Sequence, residues 1–114
     1  MNNQHRARPV LNKDEVLKLF ANHLSDNKYS SIYNLKSLIE RQMTSQGIIG
    51  EITEGNSMYR TTFNRRISDE DALLINECIY DLLYTRVITP GNNADNLELP
   101  WIHVSDDEKL KELL

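Results

Sequence analysis

The sequence predicts a small α+β domain with three main helices, a β-hairpin and a short C-terminal helix. Three segments carry apolar residues at helical spacing, and each follows a residue suited to cap a helix. The third of these segments runs directly into two strand-forming runs that are separated by a polar loop. At 114 residues, with 39% hydrophobic and 26% charged residues, the chain has the size and composition of one domain with one core.

The chain opens with a polar arm, residues 1–11, and we place the single domain at residues 12–114. Asn12 is positioned to cap the first helix, and the acids at positions 14 and 15 follow where the helix dipole favours negative charge. A polar run, residues 25–28, ends this helix. Its predicted apolar stripe consists of Val16, Leu17, Phe20, Ala21 and Leu24.

The second helix is predicted to begin after Ser30 or Ser31 and to end at Gly47. Its apolar stripe consists of Ile32, Leu35, Ile39 and Met43, widened by Leu38. Residues 48–53 then suit a short strand or an irregular crossing, 54–57 a turn, and 58–63 a strand. A hairpin before the third helix is therefore one option.

The third helix begins with the capping-box pattern of Ser68 and Asp71, and further acids occupy its first turn. Apolar residues follow at helical spacing through most of its length, so we expect this helix to be the most deeply buried one. Its predicted buried face consists of Ala72, Ile75, Ile79, Leu82 and Leu83, extended by Leu74, Cys78 and Tyr80.

Two strands are predicted after the third helix, at residues 87–89 and 101–104, with an exposed loop between them. Residues 105–108 form a second capping-box pattern, with Ser105 as the cap, and start a short helix to the end of the chain. That helix carries Leu110, Leu113 and Leu114.

With these elements placed, residues 68–105 resemble the second half of a winged-helix domain. The stretch Leu-Leu-Tyr-Thr-Arg-Val-Ile-Thr-Pro-Gly at 82–91 is similar to the passage from helix to wing in many bacterial winged-helix proteins. The resemblance implies that the helix before the wing enters the major groove of DNA while the wing rests on the backbone. A DNA-binding transcription regulator is the function it implies.

The charge pattern does not suit that docking mode. Between residues 68 and 86 five acids stand against one base, and the predicted wing adds Asp95 and Glu98 without a lysine or arginine. Basic residues gather elsewhere, so phosphate contacts are expected from Arg6, Arg8, Arg60, Arg65 and Arg66. The alternative for the three arginines at positions 60, 65 and 66 is that they form a solvated edge or pair with neighbouring acids.

No residue cluster in the sequence indicates a reaction. The histidines at positions 5, 23 and 103 lack metal-ligand spacing, and Cys78 has no second cysteine, so we predict no metal and no cofactor. The Gly47–Gly50 segment lacks the lysine of a phosphate loop. The pairs of neighbouring acids lie at helix starts, where capping explains them, so no enzymatic activity is expected. Without a secretory signal or a membrane-length apolar run, we expect a cytoplasmic protein with no membrane partner.

Two functions remain open from the sequence. The first is binding of double-stranded DNA through the arginines named above. The second is a protein-interaction module that binds no nucleic acid. It would form a homodimer through Leu110, Leu113 and Leu114, or bind another chain through the acidic face of the third helix.

Overall fold

The computed structural model describes residues 5–114, so the first four residues of the predicted arm lie outside the described part of the chain. Within that part the architecture is α+β and is compatible with a small winged-helix-like domain, which confirms the predicted fold class. The elements are α1 (Lys13–Asp26), β1 (Tyr29–Ser31), α2 (Ile32–Ser45), β2 (Gly50–Gly55), β3 (Arg60–Arg65), α3 (Asp69–Tyr84), β4 (Ile88–Pro90), β5 (Trp101–Val104) and α4 (Asp107–Glu112).

Three strands form an antiparallel sheet in the order β1-β5-β4. The predicted ribbon is confirmed, because Ile88 pairs with Val104 and Pro90 with Ile102. We call the connection between β4 and β5, residues 91–100, the wing. The sequence did not indicate β1, since a strand of three residues shows no alternation and its partner lies about 70 positions further along the chain.

The hairpin considered for the connection between α2 and α3 is present. Strands β2 and β3 pair from Gly50 opposite Arg65 to Gly55 opposite Arg60, and the turn covers residues 56–59. Gly55 has a φ of +126°, and a Cβ there would collide with the carbonyl of Tyr59. Six residues of strand span about 20 Å, and most side chains of the hairpin are exposed. The molecule is accordingly elongated, measuring 57 × 30 × 27 Å.

One apolar core lies between the helices and the three-stranded sheet. It contains Val16, Phe20, Ala21, Leu24, Leu35, Ile39, Met43, Ile75, Cys78, Ile79, Leu82, Val87, Ile88, Ile102 and Leu110. Two residues predicted for the buried face of α3 are instead exposed, Ala72 and Tyr80. In the first turn of α3, Asp71 faces the core in place of Ala72. Tyr80 lies seven positions, or about two turns, after the exposed Leu73 and therefore faces solvent on the same side of the helix.

Side-chain caps fix the starts of the helices, and three of them follow the sequence prediction. Asn12 accepts a hydrogen bond from the Glu15 amide, Ser31 from that of Asn34, and Ser68 from that of Asp71. The predicted cap of α4 was wrong by one residue, because Asp106 accepts from the Lys109 amide. Ser105 instead donates its hydroxyl to the carbonyl of Arg86.

Helix α3 ends in a left-handed residue that is not glycine. The amide of Arg86 donates to the carbonyl of Leu83, and the amide of Val87 donates to that of Leu82, which is the Schellman pattern. Arg86 sits at the left-handed position with a φ of +62°. A side chain in this conformation is strained relative to glycine.

Candidate functional site

The solvent side of α3 carries a stripe of large side chains. Leu73, Tyr80 and Tyr84 are 68%, 46% and 84% exposed. Together with Glu70 and Glu77 they follow alternating spacings of three and four residues, which places all five on one side of the helix. We call these five residues the α3 face. It combines exposed apolar area with negative charge.

The acids of α3 are only partly balanced by cations from other elements. Lys13 of α1 lies 2.8 Å from Asp81 and 3.2 Å from Glu77, and these hydrogen bonds, that to Asp81 foremost, raise the pKa of Lys13. Arg6 lies 3.1 Å from Asp69. Helix α3 contains five acids and no base, and these two cations leave its surroundings negative.

Asp71 has a role that the capping-box pattern did not reveal. Its carboxylate is 2% exposed and accepts hydrogen bonds from the backbone amides of Val10 and Leu11, at 3.0 and 3.1 Å. The arm is therefore fastened to the first turn of α3. The partners lie 60 positions apart, so no local pattern could indicate this contact.

The five predicted phosphate-binding arginines do not form one surface. Arg6 pairs with Asp69 and also donates to the Ile67 carbonyl. Arg65 pairs with Glu54 at 3.0 Å and stacks over the Phe63 ring. For Arg65 the alternative of pairing with a neighbouring acid is observed. The remaining three, Arg8, Arg60 and Arg66, are exposed and form no salt bridge within residues 5–114.

The alternation of β3 also separates the arginines in space. Arg60 and Arg65 are five positions apart in one strand and so project from opposite faces of the β2–β3 hairpin. Even so, cations outnumber acids in the arm and in the segment that contains the β2–β3 hairpin. Residues 5–8 and 50–66 carry five of the 13 cations and two of the 17 acids.

A cavity of about 400 Å³ lies where the arm passes the connection between α2 and β2. Three guanidinium side chains line it, and no carboxylate does. The arm runs beside the end of β3, since the Arg66 amide donates to the His5 carbonyl and the Ala7 amide donates to the Arg66 carbonyl. The lining residues are Arg6, Ala7, Arg8, Val10, Gly47, Ile48 and Arg65.

The wing offers no positive charge to a DNA backbone. Its charged residues are Asp95 and Glu98, and its exposed apolar residues are Leu97 and Leu99. The side chain of Asn93 accepts hydrogen bonds from the amides of residues 95 and 96 and fixes the turn. The wing therefore presents apolar and acidic groups, as the α3 face does.

Two of the three C-terminal leucines predicted for protein contact pack in or against the core of this chain. Leu110 is 3% exposed and belongs to the core, and Leu113 is half-buried against it. Leu114 is the one of the three that is exposed, at 48%. A dimer built on all three residues would require α4 to leave the core.

The cysteine and the histidines do not form a reactive cluster in the described residues. Burial raises the pKa of the Cys78 thiol to about 11. His23 lies 3.3 Å from the Ser30 hydroxyl, and His103 contacts the Gly91 carbonyl at 2.7 Å. Within residues 5–114 no group of three histidine, cysteine or acidic residues is arranged to hold a metal ion, and no helix there is long and apolar enough to cross a membrane.

Comparison of the chain with family models, with curated proteins and with solved structures gave no match. The case for a function therefore depends on the surfaces described above.

Proposed function

We propose that this chain is a winged-helix-like protein-interaction module whose α3 face binds a partner segment of mixed apolar and basic character. One observation carries the proposal: the helix that would enter DNA in a winged-helix protein exposes Leu73, Tyr80 and Tyr84 among acids and has no lysine or arginine.

The chemistry of this face opposes DNA and suits protein. A helix in the major groove needs donors for base edges and cations for phosphates, whereas the carboxylates of Glu70 and Glu77 would repel the phosphates. Leucine and tyrosine contribute apolar contact area, and tyrosine is enriched at protein interfaces. Glu70 forms no salt bridge in the described part of the chain, so it is available to a cation on a partner.

The charges also favour a partner other than a second copy. A twofold contact between two α3 faces would place the unpaired Glu70 of both chains in one interface, where like charges repel, while Glu77 is already paired with Lys13. A segment with lysine or arginine beside apolar residues would neutralise these acids and cover the exposed side chains. The expected partner is therefore a basic amphipathic segment of another protein.

A random peptide library displayed against the folded protein tests this proposal. Enriched peptides should carry lysine or arginine beside apolar residues, and Leu73→Asp should weaken their binding by about tenfold or more, because it places a charge in the apolar contact. Tyr33→Asp is the matched control, since Tyr33 is 67% exposed on α2 and lies outside the α3 face. Peptides whose binding is indifferent to Leu73→Asp would remove the proposal.

The second candidate is binding of double-stranded DNA by a regulator that uses the arm and the β2–β3 hairpin. Its support is the exposure of Arg8, Arg60 and Arg66 without salt bridges among the described residues. Fluorescence anisotropy with a labelled duplex tests it: replacing Arg60, Arg65 and Arg66 by alanine should lower affinity and flatten its salt dependence. Absence of duplex binding by the parent protein would remove this candidate.

A further inference from the structure

We infer that the cavity between the arm and the α2–β2 connection, lined by Arg6, Arg8 and Arg65, binds a phosphate group. This inference is independent of whether the α3 face binds protein.

The charge of the lining is the first argument. Three arginines line one cavity, and the lining contains no acid. The carboxylates that pair with Arg6 and Arg65, those of Asp69 and Glu54, are not part of the lining. Arg6 and Arg65 each have a carboxylate partner outside the cavity, whereas Arg8 forms no salt bridge within residues 5–114. Because the lining itself holds cations and no acid, the cavity attracts an anion.

A second, larger cavity shows the contrast. It measures about 570 Å³ at the C-terminal end of α3 and is bordered by Arg86 and Lys109 together with Asp81 and Glu112. Its cations are balanced by acids in the same lining, so it has no net attraction for an anion. The smaller cavity has only cations.

The hydrogen-bonding groups of the arginines are the second argument. A guanidinium has five N–H donors in a plane that matches phosphate oxygens. Arg6 uses only Nη1 in its contacts with Asp69 and the Ile67 carbonyl, and Arg65 uses only Nη2 in its contact with Glu54. Their other N–H groups make no hydrogen bond within residues 5–114 and remain available to a ligand.

The third argument is that the walls are held in place before any ligand arrives. The arm is fixed on one side of the cavity by its backbone hydrogen bonds with Arg66, and on the other by Asp71. Arg6 and Arg65 are each oriented by a salt bridge from outside the cavity. A preformed set of donors loses less entropy on binding than mobile surface side chains do.

The volume suits one phosphate with its attached group, because small-ligand sites fall at about 300–1,000 Å³. The phosphate belongs either to a free small molecule or to a nucleic acid backbone. The chemistry that the arginines recognise is the same in both cases.

Titration of the full chain with inorganic phosphate, followed by amide chemical shifts at constant ionic strength, tests the site. The amides of Ala7, Gly47 and Ile48 should shift saturably with a Kd of about 1 mM. Arg8→Ala should weaken binding about tenfold, since it removes charge-assisted hydrogen bonds. Arg8 is exposed and its side chain makes no hydrogen bond or salt bridge within residues 5–114, so this variant should fold normally.

Arg66→Ala is the matched control, because it removes the same charge from an exposed residue nearby that does not line the cavity. Binding should change by less than about twofold in this variant. Shifts that do not saturate, or equal losses in both variants, would overturn the inference by showing only diffuse attraction to a basic surface.

Two further titrations identify the source of the phosphate. A short DNA duplex that shifts the same amides and is displaced by inorganic phosphate supports the site and assigns it to a nucleic acid backbone. A mononucleotide that competes where the duplex does not supports the site and assigns it to a small molecule.

Discussion

Replacing Asp71 by alanine should detach Val10 and Leu11 of the arm from α3 and lower the stability of the whole domain. The carboxylate is buried and accepts from two backbone amides, those of Val10 and Leu11. Hydrogen bonds to a charged group contribute about 1.5–3 kcal/mol each, so two of them amount to about 3–6 kcal/mol. Because the freed amides of Val10 and Leu11 can reach water, we expect a loss at the lower end, about 3 kcal/mol.

Asp69→Ala is the matched control for this variant. Both residues lie in the first turn of α3, so both variants lose a similar favourable interaction with the helix dipole. The carboxylate of Asp69 is 80% exposed and makes only the surface salt bridge to Arg6, so its removal should lower stability by less than about 1 kcal/mol. The difference between the two variants isolates the buried hydrogen bonds.

Urea and thermal unfolding followed by circular dichroism measure both effects, and hydrogen exchange locates them. We expect Asp71→Ala to lower Tm by about 10–15 °C. It should also remove exchange protection at the Val10 and Leu11 amides. If its stability falls within about 0.5 kcal/mol of that of Asp69→Ala, the carboxylate does not hold the arm in the way described here.

Two further predictions concern α3. Arg86→Gly should raise the free energy of unfolding by up to about 1 kcal/mol in urea denaturation, because glycine is unstrained at the left-handed position. A variant less stable than the parent would show that the Arg86 side chain has a structural role. Stability should also fall between about pH 9 and pH 11, because the Cys78 thiol has a raised pKa of about 11 in the folded state and ionises first in the unfolded one. The slope should reach at most about 1.4 kcal/mol per pH unit, and Cys78→Ala should lack this part of the pH dependence in parallel urea titrations.

The sequence allowed prediction of those features that depend on neighbouring residues. Helix caps such as Ser31 and Ser68 act across three positions, and the pairing of β4 with β5 follows from short strand-forming runs separated by a loop. The stripe of the α3 face was partly misassigned, because Tyr80 is apolar enough to suit the core. The spacing between Tyr80 and Leu73 places both on one side of α3, but only the structure shows that Leu73, and so this side, is exposed.

The features that were not predicted depend on residues far apart in the chain. The contact of Asp71 with the arm, the salt bridge between Arg6 and Asp69, and the pairing of β1 with β5 all join segments separated by 60 or more positions. The cavity lined by arginines arises only when the arm, the end of α2 and β3 meet. Local sequence patterns carry no information about contacts between such distant segments.

The uneven distribution of charge has a consequence for how this molecule meets other molecules. The arm and hairpin together hold more cations than acids, while the remainder of the chain has eight cations and 15 acids. With charge distributed so unevenly, a charged surface will orient the molecule during approach, and the arm and hairpin are favoured towards anions. This electrostatic steering acts over about 8 Å at physiological ionic strength, and added salt will lower the rate of association with a charged partner.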